Sequence, residues 1–409
     1  MAVRKEIPLS SRVPFSDHAI LAIGSLILLE LLFLNGLHRS PAYLGLDASY
    51  VLKGQAPFED IAQDMVGFRA LVEHSDPYPI LGPAFRDIGI NWNVDHASTH
   101  PPTCFLLVAP IAYLPWQWAS TLWAWFMAGL LFLSFHFYGL RWRVALGLTF
   151  IALLWPPVAT SLGQTTILWL CGLAWAYSFL HRNPFWSGAG IAIASFAKLL
   201  PLVLIAVCLC KRLWRGITGV ALFWALALGF LLSIAPGSLL RYAEVNASNS
   251  LDIFLRNDNS SLLATGYRTA GWPGVACALL FLALVVATNR DCLTRAGTEP
   301  ALMLRLWMVF SYLAVALLPI AWIYSIVPLL PVVLFLLSKG RLDLTLISVA
   351  AILIPEFAPA WGKGSVGPLV TVNILVGIGL ILHVRPVKFP FSESFTGMFG
   401  PTGSMAARS

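Results

Sequence analysis

Long apolar runs set the rhythm of this chain, separated by short basic turns and by longer polar stretches that recur at alternate breaks. Apolar stretches fall at residues 19–35, 117–138, 144–161, 165–181, 215–235, 272–288, 301–318, 321–338, 342–356 and 366–384. A helix needs about 20 predominantly apolar residues to cross a bilayer, so most of these predict spans. Between Arg182 and Lys211 there are too few residues for two full crossings at about 1.5 Å per residue. A hairpin of two short helices, with Lys198 and Pro201 near its outer tip, fits this interval; one long span with a misplaced basic loop is the alternative. The expected class is an all-α polytopic membrane protein with about 11–13 spans. After the first run come about eighty residues without an apolar stretch of spanning length. Eight of the chain's 19 acids lie there, between Asp47 and Asp95.

Composition strengthens this reading and excludes a soluble domain. Residues are 58% hydrophobic and only 11% charged, against about 25% charged in soluble proteins. The first run carries Glu30 and is followed by no small-residue cleavage site, so it is expected to remain as an anchor. The net charge of +7 comes from clusters in short loops, among them Arg141/Arg143, Lys211/Arg212/Arg215, Arg290/Arg295 and Lys339/Arg341. That is the positive-inside signature and gives no reason to expect nucleic acid. Residues 1–388 are expected to form one transmembrane domain, followed by a disordered cytoplasmic tail at 389–409. No internal repeat is visible, which weakens a transporter reading. Cys104, Cys171, Cys208, Cys210, Cys277 and Cys292 show neither metal nor disulfide spacing.

With the basic turns placed inside, six unusual segments share the outer face: the loops 36–116, 236–271 and 357–365, the turns at 161–165 and Pro319, and the Lys198 tip. A bundle could gather them around one cavity. Asp47, just after the first span, is well placed as a general base, although Asp is also a common surface acid or helix cap. Residues 92–102 read WNVDHASTHPP, in which Pro101 and Pro102 suit a helix start and the run 103–114 is too short to span. His96 and His100 could bind phosphate or a sugar hydroxyl, and His100 could equally serve as a cap. Gln164 could bind sugar hydroxyls or satisfy backbone freed at a break between spans. Lys198, in an apolar setting, suits an anionic phosphate, or snorkels to the interface. Arg256, Asn257 and Asn259 in the second loop fit sugar and phosphate recognition, and fit an ordinary solvated loop as well. Asn246 and Asn259 also head N-glycosylation triplets, a pattern frequent by chance. Glu30 and Glu356 are acids within or beside spans, where structural pairing competes with function.

Taken in order, these pieces resemble glycosyltransferase family 87, the polyprenol-phosphate-mannose-dependent α-mannosyltransferases of the C-type membrane fold. The matching pieces are Asp47-x-x-Tyr50 with Gly54, His100-Pro101-Pro102 leading to Leu114-Pro115, Gly163-Gln164, and Gly188 followed by Lys198-Leu199-Leu200-Pro201. Asn257-Asp258-Asn259-Ser260 and Leu318-Pro319-Ile320-Ala321-Trp322 complete the series. The resemblance implies a C-type bundle whose large first outer loop carries interfacial helices. It implies transfer of a sugar, with mannose the best donor, from polyprenyl phosphate to a lipid or glycan acceptor with inversion. Asp47 would be the base, and Tyr50, His96, His100, Gln164, Lys198, Arg256, Asn257, Asn259, Trp322 and Tyr324 would bind substrate. No metal or nucleotide cofactor is implied. The setting implied is a bacterial inner (plasma) membrane, with the active site on the periplasmic side. The family's late Trp-x-His is Trp322-Ile323-Tyr324 here, which replaces an imidazole by a phenol. The competing readings are a lipid-linked-sugar flippase or transporter, and a noncatalytic subunit of a cell-envelope complex that would tolerate Asn at position 47.

Overall fold

A computed structural model describes residues 59–92, 94–153, 162–256, 259, 261–295, 300–321, 323–338 and 367–382. Among these, regular structure is helical apart from one isolated bridge between Ile80 and Ala97. In chain order the helices are α1 (Glu59–Val72), α2 (Leu81–Asp87), α3 (Pro102–Leu107), α4 (Trp116–Phe137), α5 (Trp142–Leu153), α6 (Thr166–Phe179), α7 (Pro184–Ala197) and α8 (Ile205–Cys210). There follow α9 (Trp214–Ile234), α10 (Ser238–Leu255), α11 (Leu262–Ala270), α12 (Trp272–Thr288), α13 (Arg290–Arg295), α14 (Pro300–Ala316), α15 (Leu330–Ser338) and α16 (Gly367–Leu382).

Helices α4 and α9 are long and apolar enough to cross a membrane. Their outward faces are themselves apolar: Trp118, Trp125 and Phe126 on α4, and Leu222, Leu226 and Phe230 on α9, are exposed. Water would penalise such faces and lipid would not, so they belong in a bilayer. Helices α6, α7 and α12 are shorter but equally apolar, and α6 is buried along most of its length.

Helices α6, α7 and α9 pack backbone to backbone through small residues. A Cβ built on Gly188 of α7 would run into the carbonyl of Gly216 on α9, and one on Gly190 would lie 2.6 Å from the carbonyl of Gly172 on α6. Close approach through small residues is the usual device where lipid offers no hydrophobic drive between helices. Gly188 thus has a packing reason to be glycine.

The expected hairpin between Arg182 and Lys211 is present. Helix α7 ends at Lys198, and a 3₁₀ turn Leu200–Leu204 leads into the short α8. Pro201 is the second residue of that turn, where its missing N–H is harmless. At the far end of α8, Lys211 Nζ donates to the carbonyls of Cys292 and Leu293 on α13. Two basic turns assigned to one face from charge alone therefore do meet.

Three expectations need correction. The stretch 236–271 is mostly helix rather than loop, because Leu239, Tyr242 and Val245 recur one turn apart and turn inward. Ser261 then caps α11 by accepting from the Ala264 N–H at 2.9 Å. The run 321–338 is broken: a 3₁₀ segment Ile323–Leu329 containing Pro328 precedes α15. Lastly, His100 does not cap a helix with its side chain; Pro101 occupies the N-cap of α3 and Pro102 its first turn.

Candidate active site

Helix α1 reads EDIAQDMVGFRALV and buries Ile61, Met65, Phe68 and Leu71 on its inner face. Asp64 lies on a buried face of the same helix and is fully shielded from solvent. Buried carboxylates require a partner. Asp64 finds one in His100, whose Nδ1 lies 2.7 Å from Asp64 Oδ1. Its second oxygen accepts from the Cys104 thiol at 3.3 Å. Asp60, one turn earlier, brings Oδ2 to 3.7 Å from His100 Nε2, and its other oxygen accepts from Gln63 at 3.0 Å. One imidazole thus stands between two carboxylates.

The loop before α3 holds that imidazole in place. The His100 N–H donates to Ser98 Oγ at 3.2 Å, and Tyr78 Oη donates to the His100 carbonyl at 3.0 Å. With Pro101 extended and Pro102 starting α3, Cys104 falls one turn beyond His100. Burial, then Asp64, pushes the Cys104 thiol up to about 12, so it stays protonated and donates. Burial raises the Asp64 carboxyl while the His100 proton draws it back. The direction that governs the pair is that of His100: Asp64 beside it, and Asp60 beyond, outweigh burial and hold it well above the ordinary imidazole range.

Other segments expected on the outer face close on this group. Cys104 Sγ lies 3.9 Å from Thr165 Oγ1, in the turn that contains Gly163 and Gln164. Gln164 itself is half-buried there. Thr103 Oγ1 donates to the Phe196 carbonyl at 2.9 Å, fixing α3 to the last turn of α7. Lys198, two residues on, stands within electrostatic reach of Asp60 and Cys104. His96 Nε2 lies 3.6 Å from Glu59 Oε1, and the Arg256 charge also acts on Glu59. Five of the six segments expected on the outer face contribute to this region, since Asn259 ties the second loop to Pro319. The sixth, 357–365, lies outside the described residues.

The individual candidates fare differently. His96, His100, Lys198 and Arg256 come together around α1, with Gln164 in the adjoining turn. Asn259 is fully buried, and its side chain serves the backbone: it donates to Phe254 and Pro319 carbonyls and accepts from the Ser261 and Ala321 N–H groups. It clamps the loop, with Arg268 assisting through the carbonyls of Arg256 and Asn259. A buried Asn259 is no glycosylation acceptor either. Asp47, Tyr50, Asn257 and Trp322 lie outside the described residues, and of Tyr324 only the backbone, in the 3₁₀ segment, is described.

Asp60, Asp64 and Cys104 were not anticipated. The available clue was spacing: 60 and 64 are one helical turn apart on α1 and share its face, and 104 lies in the first turn of the helix that 101 and 102 start just after His100. Asp64, His100 and Cys104 each offer an atom a cation could bind, all within 4.8 Å of one another. The 2.7 Å Asp64–His100 separation is a hydrogen bond, however, and tetrahedral ligands on bonds of about 2.0–2.1 Å stand farther apart. The three groups would have to part to admit a metal.

Fold and site together define a helical membrane protein with a charged, partly buried acid–histidine–cation centre made from segments distant in sequence. The profile of glycosyltransferase family 87 matches residues 99–319, more than half of the chain, and the protein belongs to that family. No curated protein and no solved structure matches it. As a family member it is a glycosyltransferase, acting on a sugar donor and an acceptor.

Proposed function

We propose that this enzyme is a multi-pass protein of the C-type membrane glycosyltransferase class that moves a sugar, mannose in the first instance, from a polyprenyl phosphate to a hydroxyl of a lipid or glycan acceptor. The reaction takes place at the outer face of a bacterial inner membrane. The observation that carries this reading is the Asp60–His100–Asp64 array, within reach of the Lys198 charge, where segments expected on the outer face converge.

In this mechanism Asp47 accepts the proton of the acceptor hydroxyl. The acceptor oxygen bonds to the anomeric carbon from the face opposite the phosphate, the carbon–oxygen bond to phosphate breaks, and configuration inverts. Polyprenyl phosphate leaves with its electron pair, and its charge is stabilised by Lys198 and Arg256. His100, held cationic by its two carboxylates, offsets part of their negative charge at the same centre. Tyr50, His96, Gln164, Asn257, Trp322 and Tyr324 bind or shape the sugar, and neither nucleotide nor metal is needed.

A second base is favoured by one specific observation. Asp60 is less than one-fifth exposed, yet it faces both His100 and the Lys198 charge. Protein in lipid nanodiscs, given labelled polyprenyl-phosphate sugars and a membrane lipid extract, decides between the two. Asp47→Asn is expected to lower kcat by at least 10²-fold with donor binding intact, the low end of a general-base contribution of about 10²–10⁴. Full activity in Asp47→Asn together with loss in Asp60→Asn would transfer the role to Asp60. No transfer from any donor by wild type would overturn the reading.

A further inference from the structure

A cleft of about 380 Å³ opens beside the acid–histidine centre, and of its lining the mechanism above uses only His96. One wall is the segment Asp76–Ile80 with Asp95–Ala97; the other is α10, through Arg241, Glu244, Val245, Ser248 and Asn249. The first wall is fixed by backbone pairing: the Leu81 N–H donates to the His96 carbonyl at 3.0 Å, and the Gly82 N–H to that of Val94 at 2.8 Å. The two walls are pinned together by a two-pronged ion pair in which Arg241 Nη2 and Nε reach Asp76 at 2.9 and 3.2 Å. His74 Nδ1, at 2.8 Å from the Ile234 carbonyl, makes a second joint. The cleft is therefore a built feature between two outer segments.

Its lining has a definite chemistry. The floor is apolar, formed by buried Tyr78, Ala97 and Val245. The rim carries carboxylates, an imidazole, a hydroxyl and an amide from Asp76, Asp95, Glu244, His96, Ser248 and Asn249. Three carboxylates face one guanidinium, and that guanidinium is engaged by Asp76 and by Glu244 at 3.4 Å. An anionic ligand would meet net negative charge, whereas sugar hydroxyls would meet acceptors and donors around an apolar floor. The volume falls in the range of small-ligand sites, about 300–1,000 Å³. Tyr78 connects the cleft to the centre through its bond to the His100 carbonyl, and His96 does so through Glu59.

We infer that this cleft is the acceptor subsite and that it takes an uncharged, polyhydroxylated glycan end, while the phosphate-bearing donor lies on the cationic side, by Lys198. The inference rests on the glycosyl-transfer reading and specifies the acceptor class within it. Ser248 is exposed on α10 and bonds only to the Val245 carbonyl among the contacts described, so a bulky residue there can fill the cleft without disturbing the core.

The test uses full-length protein in nanodiscs with a neutral mannose trisaccharide and the same trisaccharide carrying a terminal phosphate. Saturation-transfer NMR is expected to show the neutral sugar bound by wild type and the phosphorylated one bound at least tenfold more weakly. Ser248→Trp should abolish the neutral signal and raise acceptor KM at least tenfold, with donor KM within twofold. Asn249→Ala, a milder truncation, should raise acceptor KM severalfold. Equal or better binding of the phosphorylated sugar, or an unchanged signal in Ser248→Trp, overturns the inference. Transfer to membrane acceptors without occupancy of the cleft also overturns it and leaves the transferase reading intact. Occupancy without transfer from any donor upholds a glycan site and removes the transferase reading instead.

Discussion

His100 shows how a single residue can be named correctly for an incomplete reason. The Pro101-Pro102 helix start was legible, and so was an imidazole beside it. Its partner was not, because Asp64 sits in a helix whose other inward residues are apolar apart from Gln63. Only folding places the carboxylate under the ring. Two carboxylates raise His100 above the ordinary imidazole value of about 6.5. A raised histidine contributes stability that is complete below the unfolded value and is lost as pH rises through the folded one. The protein is therefore expected to melt at progressively lower temperature on the alkaline side, and NMR of labelled histidine should show His100 losing its proton at higher pH than an ordinary imidazole. Asp64→Asn should return the ring towards its ordinary value and destabilise the fold by about 3–5 kcal/mol, as removal of one buried partner does. A wild-type His100 that titrates near 6.5 would refute the charge assignment.

At the scale of elements, apolar runs located α4, α6, α9 and α12 within a few residues, and the spacing of basic turns located the α7–α8 hairpin. Hydropathy failed where polar residues dominate. Helix α10 was read as loop because Arg241, Glu244, Asn246 and Asn249 obscure its inward stripe of Leu239, Tyr242 and Val245. Asn259 was read as a sugar ligand because an exposed and a buried asparagine look alike in sequence, and only the Pro319 and Ala321 backbone distinguishes them. The packing of α7 against α9 gives a sharp contrast. Gly188→Ala would press a methyl into the Gly216 backbone and should destabilise by about 1–3 kcal/mol, the usual range for overpacking. Gly129→Ala, on α4 with open space around it, should stabilise by about 0.5–1 kcal/mol through helix propensity. Thermal melts in one lipid composition read both. A neutral Gly188→Ala would mean that the two helices can slide apart at no penalty.

For the whole molecule, the decisive contrast is between the apolar belt of α4 and α9 and the polar roof above it. Leu226 is well exposed on α9, and Glu244 on α10 faces the cleft. A fluorophore on Leu226→Cys is expected to be quenched by brominated lipid tails, and one on Glu244→Cys by aqueous iodide instead. Reversed quenching would require a different seating in the bilayer. The belt was readable because hydropathy depends on composition alone. The roof was not, because it depends on contacts between residues far apart in the chain.

Those joints impose a schedule on biogenesis. Asp76 waits for Arg241, which follows it by 165 positions, and Asn259 waits for Pro319, 60 positions on. During synthesis Asp76, in the acid-rich first segment, must remain outside the bilayer without Arg241 until α10 has emerged. Chains released before that point carry spans that can insert and an Asp64–His100 pair, but lack the α10 wall of the cleft. The quality-control machinery of the membrane would then meet them as well-inserted proteins with an exposed, half-built cleft, and proteolysis within residues 73–80 is where such fragments should first be cut.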